Sequence, residues 1–216
     1  MILEAAAFAL IASKCAPDVH IETLTAVAQA ESSLNTLAIR DNTDRRGYFP
    51  KSEAEAIEIA SRLVLVEHHS VDMGLMQISS AHLVPFQMTI ADAFDACKNI
   101  GAGARVLVNA YQHSAAGEDE QVALDKALSR YNTGNPERGV ANGYVRRVKV
   151  AARQLVPAIR PGPEEPQAPG EEHVPKQVVA VAGRSETDEN PPSWDVFGQA
   201  RYQRGRGGVV FGGEQR

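Results

Sequence analysis

Apolar side chains recur at the spacing of an α-helix along most of this chain, and the pattern stops near Pro157. That regularity limits the fold to packed helices followed by a segment with no core of its own. Leu24, Val27 and Ala28 share a helical face with Glu31. Ser52 and Glu55 have capping-box spacing ahead of a stripe through Ala56, Ile57, Ala60, Leu63 and Val64. A longer stripe carries Ile100, Ala104, Leu107, Val108 and Tyr111, and Gly101 and Gly103 near its start imply close packing. Leu124, Ala127, Leu128 and Tyr131 form another stripe, and Tyr144, Val148, Ala151 and Leu155 the last. No alternation of strand type stands out, so the expected fold class is mainly α.

The connections follow from composition. "RDNTDRRGYFP" (residues 40–50) and "AAGEDEQ" read as loops, and "TIADAFDAC" as a short helix. At the N-terminus, Leu3, Ala6, Ala7, Leu10 and Ile11 have helical spacing. Glu4 interrupts the start and no positive region precedes it, so the segment reads as a first core helix rather than an export signal. Past Pro157 the chain turns to Pro, Glu and Gly, which cannot bury enough apolar surface to offset the entropy of ordering. The expected organisation is a helical domain over 1–158, a disordered linker over 159–192 and a tail over 193–216. In that tail Trp194, Phe197, Tyr202 and Phe211 stand among arginines and glycines. By itself it is either a flexible end or a peptide that orders on a partner through aromatic anchors.

The net charge of −5 argues against a nucleic-acid binder, and no run is long enough to span a membrane. Cys15 and Cys97 fit a disulfide and two buried thiols equally well. The "EHHSVD" stretch offers adjacent histidines that point to different sides of a helix, and no "HExxH" occurs, so no metal or other cofactor is expected.

Glu31 is the chemical anomaly. A carboxyl on an apolar face loses water, which favours its protonated form and lets it donate a proton to a leaving oxygen. Pattern alone favours a plainer reading, a boundary glutamate whose head escapes to solvent. "GLMQIS" (74–79), "SRYNTGN" (129–135) and "NGYVRRV" (142–148) each have a plain packing explanation too.

In this order, however, "AESSLN", "GLMQIS", "SRYNTGN" and "GYVRRV" resemble the four motifs of the lysozyme-like lytic transglycosylases of the soluble lytic transglycosylase family. The stretches around them, over about residues 10–158, resemble the subgroup that accompanies type IV secretion systems. The resemblance implies a lysozyme-like helical fold that cuts the β-1,4 bond between N-acetylmuramic acid and N-acetylglucosamine in peptidoglycan strands. It implies that Glu31 is the sole catalytic carboxyl, first acid and then base, and that a 1,6-anhydro ring closes without water. It places Ser32 beside the acid as a support, Met76 and Gln77 at the sugar groove, and Tyr131 against the acid. Asn132 would hold substrate or the nearby loop, and Tyr144 would orient Glu31. It implies a periplasmic enzyme, and with that location a Cys15–Cys97 disulfide. Secretion-system subunits are the implied protein partners, with the tail as a candidate contact.

Arg130 departs from the alanine common before the family's "YN" pair, and no clear signal peptide precedes the domain, which leaves the export route open. An ordinary glycosidase needs two carboxylates. Asp41, Asp44 and Asp72 are the nearby candidates, Asp72 the best of them, although a loop or helix-start role is simpler for it. Two other functions remain: a hydrolase of the same fold, and a peptidoglycan-binding assembly factor whose catalysis is dispensable.

Overall fold

A computed structural model describes residues 1–113 and 117–159. Eight α-helices are described there: α1 (Ala5–Cys15), α2 (Ile21–Ser32), α3 (Glu53–Ser61), α4 (Leu83–Phe86), α5 (Ala96–Gln112), α6 (Glu120–Thr133), α7 (Arg138–Ala141) and α8 (Tyr144–Ile159). Four short strands accompany them: β1 (Ile39–Asp41), β2 (Arg46–Tyr48), β3 (Val71–Met73) and β4 (Ile78–Ser79). They form one antiparallel sheet in the order β2-β1-β3-β4. Among the described residues no helix is long and apolar enough to cross a membrane.

Two buried clusters build the core. The larger joins α1, α2, α5, α6 and α8 through Phe8, Leu24, Val27, Ile100, Leu128 and Tyr144. The smaller lies under the sheet, with Ile39, Ala60, Leu63, Val71, Met73 and Phe94. They meet at the turn Gly74–Gln77, since Met73 belongs to the sheet cluster and Leu75 and Met76 to the helical one. The carboxyl end of α2 arrives at the same junction.

The N-terminal segment is a helix on the core, but it packs by a different face from the one its spacing implies: Ala5, Phe8, Ala9 and Ala12 are buried, while Ala6, Ala7 and Leu10 are exposed. Ser52 caps α3 by accepting the Glu55 N–H at 3.2 Å, and Glu55 accepts the Lys51 N–H at 2.8 Å. The fold is mainly α, as expected, and residues 40–50 are a β-hairpin arm of the small sheet rather than a plain loop. Its strands are two or three residues long, too short for a period of two to register. Residues 89–95 are turns rather than a helix, because Thr89 and Asp92 bond each other's side chains and backbone. The stripe through Leu63 and Val64 continues past α3 as a π-turn over Arg62–Val66. The expected linker and tail (159–192 and 193–216) lie, apart from Ile159, outside the described residues.

Cys15, at the end of α1, is bonded to Cys97 in the first turn of α5, with Cα atoms 5.3 Å apart across 82 residues of sequence. A crosslink closing so long a loop removes much of the freedom of the unfolded chain. The double substitution Cys15→Ser/Cys97→Ser is expected to cost about 2–5 kcal/mol. Urea denaturation of the double variant against the parent measures it; equal midpoints would show that the bond adds nothing.

Candidate active site

Glu31 occupies the last turn of α2. The helix holds it against the core through Leu24, Val27 and Ala28, all fully buried, so its carboxyl is drawn into the junction between the two clusters. The helix then stops hard. Ser33 and Leu34 both take left-handed backbone, with φ of 54° and 60°. Two consecutive non-glycine residues there cost energy that surrounding structure must hold, a pattern that gathers at active sites.

Tyr144, the first residue of α8, reaches across to Glu31. Its hydroxyl donates to Glu31 Oε1 at 2.6 Å, and its ring is 1% exposed. That hydroxyl stays protonated, because burial and the Glu31 charge both raise its affinity for the proton. Asn142 sets the start of α8 by accepting the Tyr144 N–H at 2.9 Å. Burial pushes the Glu31 carboxyl up to about 7; the Tyr144 bond and Arg147 pull it down, and the Asp72 charge pushes it further up. With Oε1 engaged by Tyr144, the transferable proton belongs on Oε2. Glu31 is thus an acid near neutrality, held in one rotamer by a buried phenol.

The turn Gly74–Gln77 forms the adjoining wall, and it is clamped from three helices. From α2, Ser32 donates to Leu75 O at 2.8 Å. From α6, Tyr131 donates to Met76 O at 2.7 Å. From α5, Asn99 accepts the Met76 N–H at 2.7 Å and donates to Met73 O and Ala93 O. Gly74 has φ +75°, and a Cβ there would stand 2.4 Å from Ala93 O and from Asn99 Nδ2, so only glycine fits. A Cβ on Gly103 would lie 2.7 Å from the Met76 side chain, which gives the Gly101/Gly103 packing a partner.

The expected site residues therefore take distinct places. Tyr144 bonds the acid directly. Ser32 and Tyr131 hold the wall beside it, and Tyr131 still feels the Glu31 charge. Met76 is fully buried and supports the wall from beneath. The Gln77 amide donates to Ala38 O at 3.1 Å and Gly74 O at 2.9 Å, so its N–H groups close the turn. Gln77 itself has φ of 47°. Asn132 accepts from Asn142 Nδ2 at 3.0 Å and ties the end of α6 to the start of α8. Ser129 reinforces that corner by accepting the Gly139 N–H at 2.8 Å and donating to Asn135 O at 2.6 Å.

Sequence reasoning missed Asn99, Ser129 and Asn42. The signal for Asn99 was the one that exposed Glu31: a polar residue on the buried side of a helix, one turn before Gly103. Asp41 is fully buried but already engaged. One oxygen accepts the Thr43 and Asp44 N–H groups and the other faces His69 Nδ1 at 2.9 Å. Burial raises the Asp41 carboxyl, but the His69 bond and the two N–H groups hold it below the usual range. Asp41, Asp44 and His69 have ligand atoms within 4.8 Å of one another. Those hydrogen bonds account for the cluster as a clamp on the β1–β2 hairpin. A broad groove elsewhere, between the α1–α2 turn, α4 and α5, is lined by none of the expected catalytic or sugar-binding residues, though the disulfide residue Cys15 borders it.

Comparison with known proteins agrees with this geometry. The family described as the transglycosylase SLT domain matches residues 8–152. Protein virB1 of Rhizobium radiobacter is 38% identical over 202 residues, covering 94% of this chain and 76% of that protein. Protein virB1 of Agrobacterium fabrum is 39% identical over 171 residues, covering 79% and 69%. The type IV secretion system protein virB1 of Brucella suis is 32% identical over 170 residues, covering 73% and 71%. No solved structure matches the chain. The match spans every element that builds the Glu31 site, and the chain belongs to the transglycosylase SLT domain family, as a peptidoglycan lytic transglycosylase.

Proposed function

We propose that the protein cuts the β-1,4 bond between N-acetylmuramic acid and N-acetylglucosamine and leaves a 1,6-anhydro ring on the muramic residue. The observation that carries this reading is Glu31, protonated near neutrality and bonded to Tyr144 at 2.6 Å. Glu31 Oε2 gives its proton to the bridging oxygen as the bond from that oxygen to the anomeric carbon breaks. The C6 hydroxyl of the same sugar then bonds the anomeric carbon, and its proton returns to Glu31. The nucleophile is part of the substrate, so it gains effective concentration and no second nucleophilic group is required of the protein. Tyr144 fixes the carboxyl through both halves, and Ser32, Tyr131 and Asn99 fix the wall beside it. The relative named as a type IV secretion system protein supports a role beside such a machine, and on this reading the enzyme works in the periplasm and opens the wall locally for secretion or conjugation. The tail over 193–216 is then the segment that recruits secretion subunits, through Trp194, Phe197, Tyr202 and Phe211.

Purified peptidoglycan digested by the parent protein is expected to yield anhydro-muropeptides by mass, and Glu31→Gln to yield none. Reducing ends from the parent would establish the hydrolase instead, and unchanged activity of the variant would remove Glu31 from its role.

The raised carboxyl also predicts a stability effect. Glu31 binds its proton more tightly folded than unfolded, with about 7 against the ordinary 4.5. Below the lower value both states are protonated and nothing is lost. As pH rises through the window, the unfolded state ionises freely while the folded state holds a desolvated carboxyl, so stability falls. Glu31→Gln is therefore expected to be more stable than the parent at pH 8, by up to about 3 kcal/mol, with the difference vanishing near pH 4. Melts at the two pH values measure it, and an equal gap at both would contradict the assignment.

Removing residues 159–216 is expected to leave cleavage of purified peptidoglycan intact and to abolish co-purification of secretion subunits. Retained co-purification would place the contact on the helical domain.

A further inference from the structure

The apolar stripe of α5 is only partly used by the core. Ile100, Ala104 and Leu107 are buried, whereas Val108 and Tyr111 on the same stripe are half-buried. Val108 and Tyr111 line the broad groove between the α1–α2 turn, the end of α4 and α5. Val19 of that turn, with Phe86 and Met88 at the end of α4, supplies the other walls. The groove holds about 1100 Å³, ample for two aromatic side chains. Its walls are fixed in advance, because the Cys15–Cys97 bond staples the α1–α2 turn to the start of α5. It is also separate from the acid. Thr23 lines it near the start of α2, and Glu31 lies eight residues further on, about 12 Å along the helix.

Charge and the path of the chain both point to an occupant. Arg105 is exposed on the groove wall, with its guanidinium 4.1 Å from the centre of the Phe86 ring. No carboxylate among the described residues pairs with it, while the neighbouring Lys98 is taken by Asp92. An apolar trough with such a cation suits an acidic residue flanked by aromatic ones. The chain itself carries that pattern. α8 runs back along α2: Tyr144 meets Glu31 at one end, and Ala152 shares a small cavity with Glu22 and Thr23 at the other. Thr23 and Leu124 line that cavity and the groove alike. The chain therefore passes Ile159 beside the groove, with residues 160–216 still to come. Among these, Trp194-Asp195-Val196-Phe197 is the only stretch in which a carboxylate stands between Trp, Tyr or Phe rings so close in sequence. Residues 160–193 are long enough to span a domain of this size.

We propose that the groove is the docking site for this segment of the same chain, with the Trp194 and Phe197 rings against Phe86, Met88 and Val108 and the Asp195 carboxylate on Arg105. Docking within one chain needs little intrinsic affinity, because the tether raises the effective concentration of the segment. The docked segment hides two of the tail's aromatic anchors, so a protein that takes them must compete with the groove. The inference goes beyond the recruiting role of the tail and depends neither on that role nor on the bond that Glu31 breaks.

Trp194 is the one tryptophan of the chain, so its fluorescence reports the segment directly. In the full chain its emission is expected to lie to the blue of that in urea and to be shielded from acrylamide, at every protein concentration. Arg105→Glu, Val108→Glu and Asp195→Arg are each expected to shift the emission to the red and open the indole to the quencher. Combining Arg105→Glu with Asp195→Arg is expected to restore the shielding. Far-UV circular dichroism checks the fold of the two groove variants, and Asp195→Arg tests the same contact without altering the helical domain. Cleavage of purified peptidoglycan is expected to be unchanged in all of them. An indole already open to acrylamide in the parent would overturn the proposal and leave the groove to a separate partner. An indole that stays shielded in the folded variants would place the segment elsewhere and overturn it too. Shielding that disappears on dilution would overturn docking within one chain in favour of the groove of a second copy.

Discussion

The withdrawal of one carboxyl from water organises this protein. Glu31 cannot be drawn into the junction of two cores without a partner, because a buried polar group left unbonded is costly. Tyr144 is that partner, and its own position requires α8 to start at one residue and lie along α2. The α6–α7–α8 corner exists to fix that start. Asn132, Asn142, Ser129 and Gly139 lock it by side-chain and backbone bonds rather than by apolar contact. A corner held by hydrogen bonds has a defined angle, and a buried phenol 2.6 Å from a carboxyl tolerates little variation in one.

The second constraint is the wall at Gly74–Gln77. It carries no regular hydrogen-bonding ladder of its own, so its backbone groups must find partners elsewhere. Asn99, Ser32 and Tyr131 supply them from three different helices. The wall is therefore rigid only when those helices are correctly packed, which couples the disulfide between α1 and α5 to the geometry beside Glu31. The left-handed residues Ser33, Leu34 and Gln77 flank this wall, where the surrounding bonds can hold such backbone in place.

Much of this could be read from the sequence, and the rest was hidden for physical reasons. Helices declared themselves wherever a stripe of apolar residues ran for two turns or more, as in α2, α5, α6 and α8. The sheet did not, since a three-residue strand such as Val71–Met73 alternates once and then ends. Residues 89–95 carry a helical pattern, but local bonds of Thr89 and Asp92 win over a helix so short. Glu31 was visible as a polar residue on a buried face, and motif order turned that anomaly into a site. The functions of Met76, Gln77 and Asn132 were less legible, because a motif names a residue without saying whether its side chain meets a ligand or its own fold. Here all three make bonds or contacts that hold the site together. Asn42 was invisible because its use depends on a cross-strand neighbour thirty residues away.

A single carboxyl that acts first as acid and then as base cannot be optimised for either task alone. If burial acted unopposed, Glu31 would hold its proton too tightly to release it to a departing oxygen. If Tyr144 and Arg147 acted unopposed, it would ionise before substrate arrived and be too weak a base afterwards. The fold sets these influences against each other, with burial and Asp72 on one side and Tyr144 and Arg147 on the other, and the balance falls at about 7. Near that value the cost of losing the proton and the gain on recovering it are of similar size at neutral pH. An unbalanced environment would favour one half of the cycle at the expense of the other. The opposing influences come from separate elements, α2, α8 and β3, so they act together only when both buried clusters are formed. The active acid is for that reason a property of the complete domain.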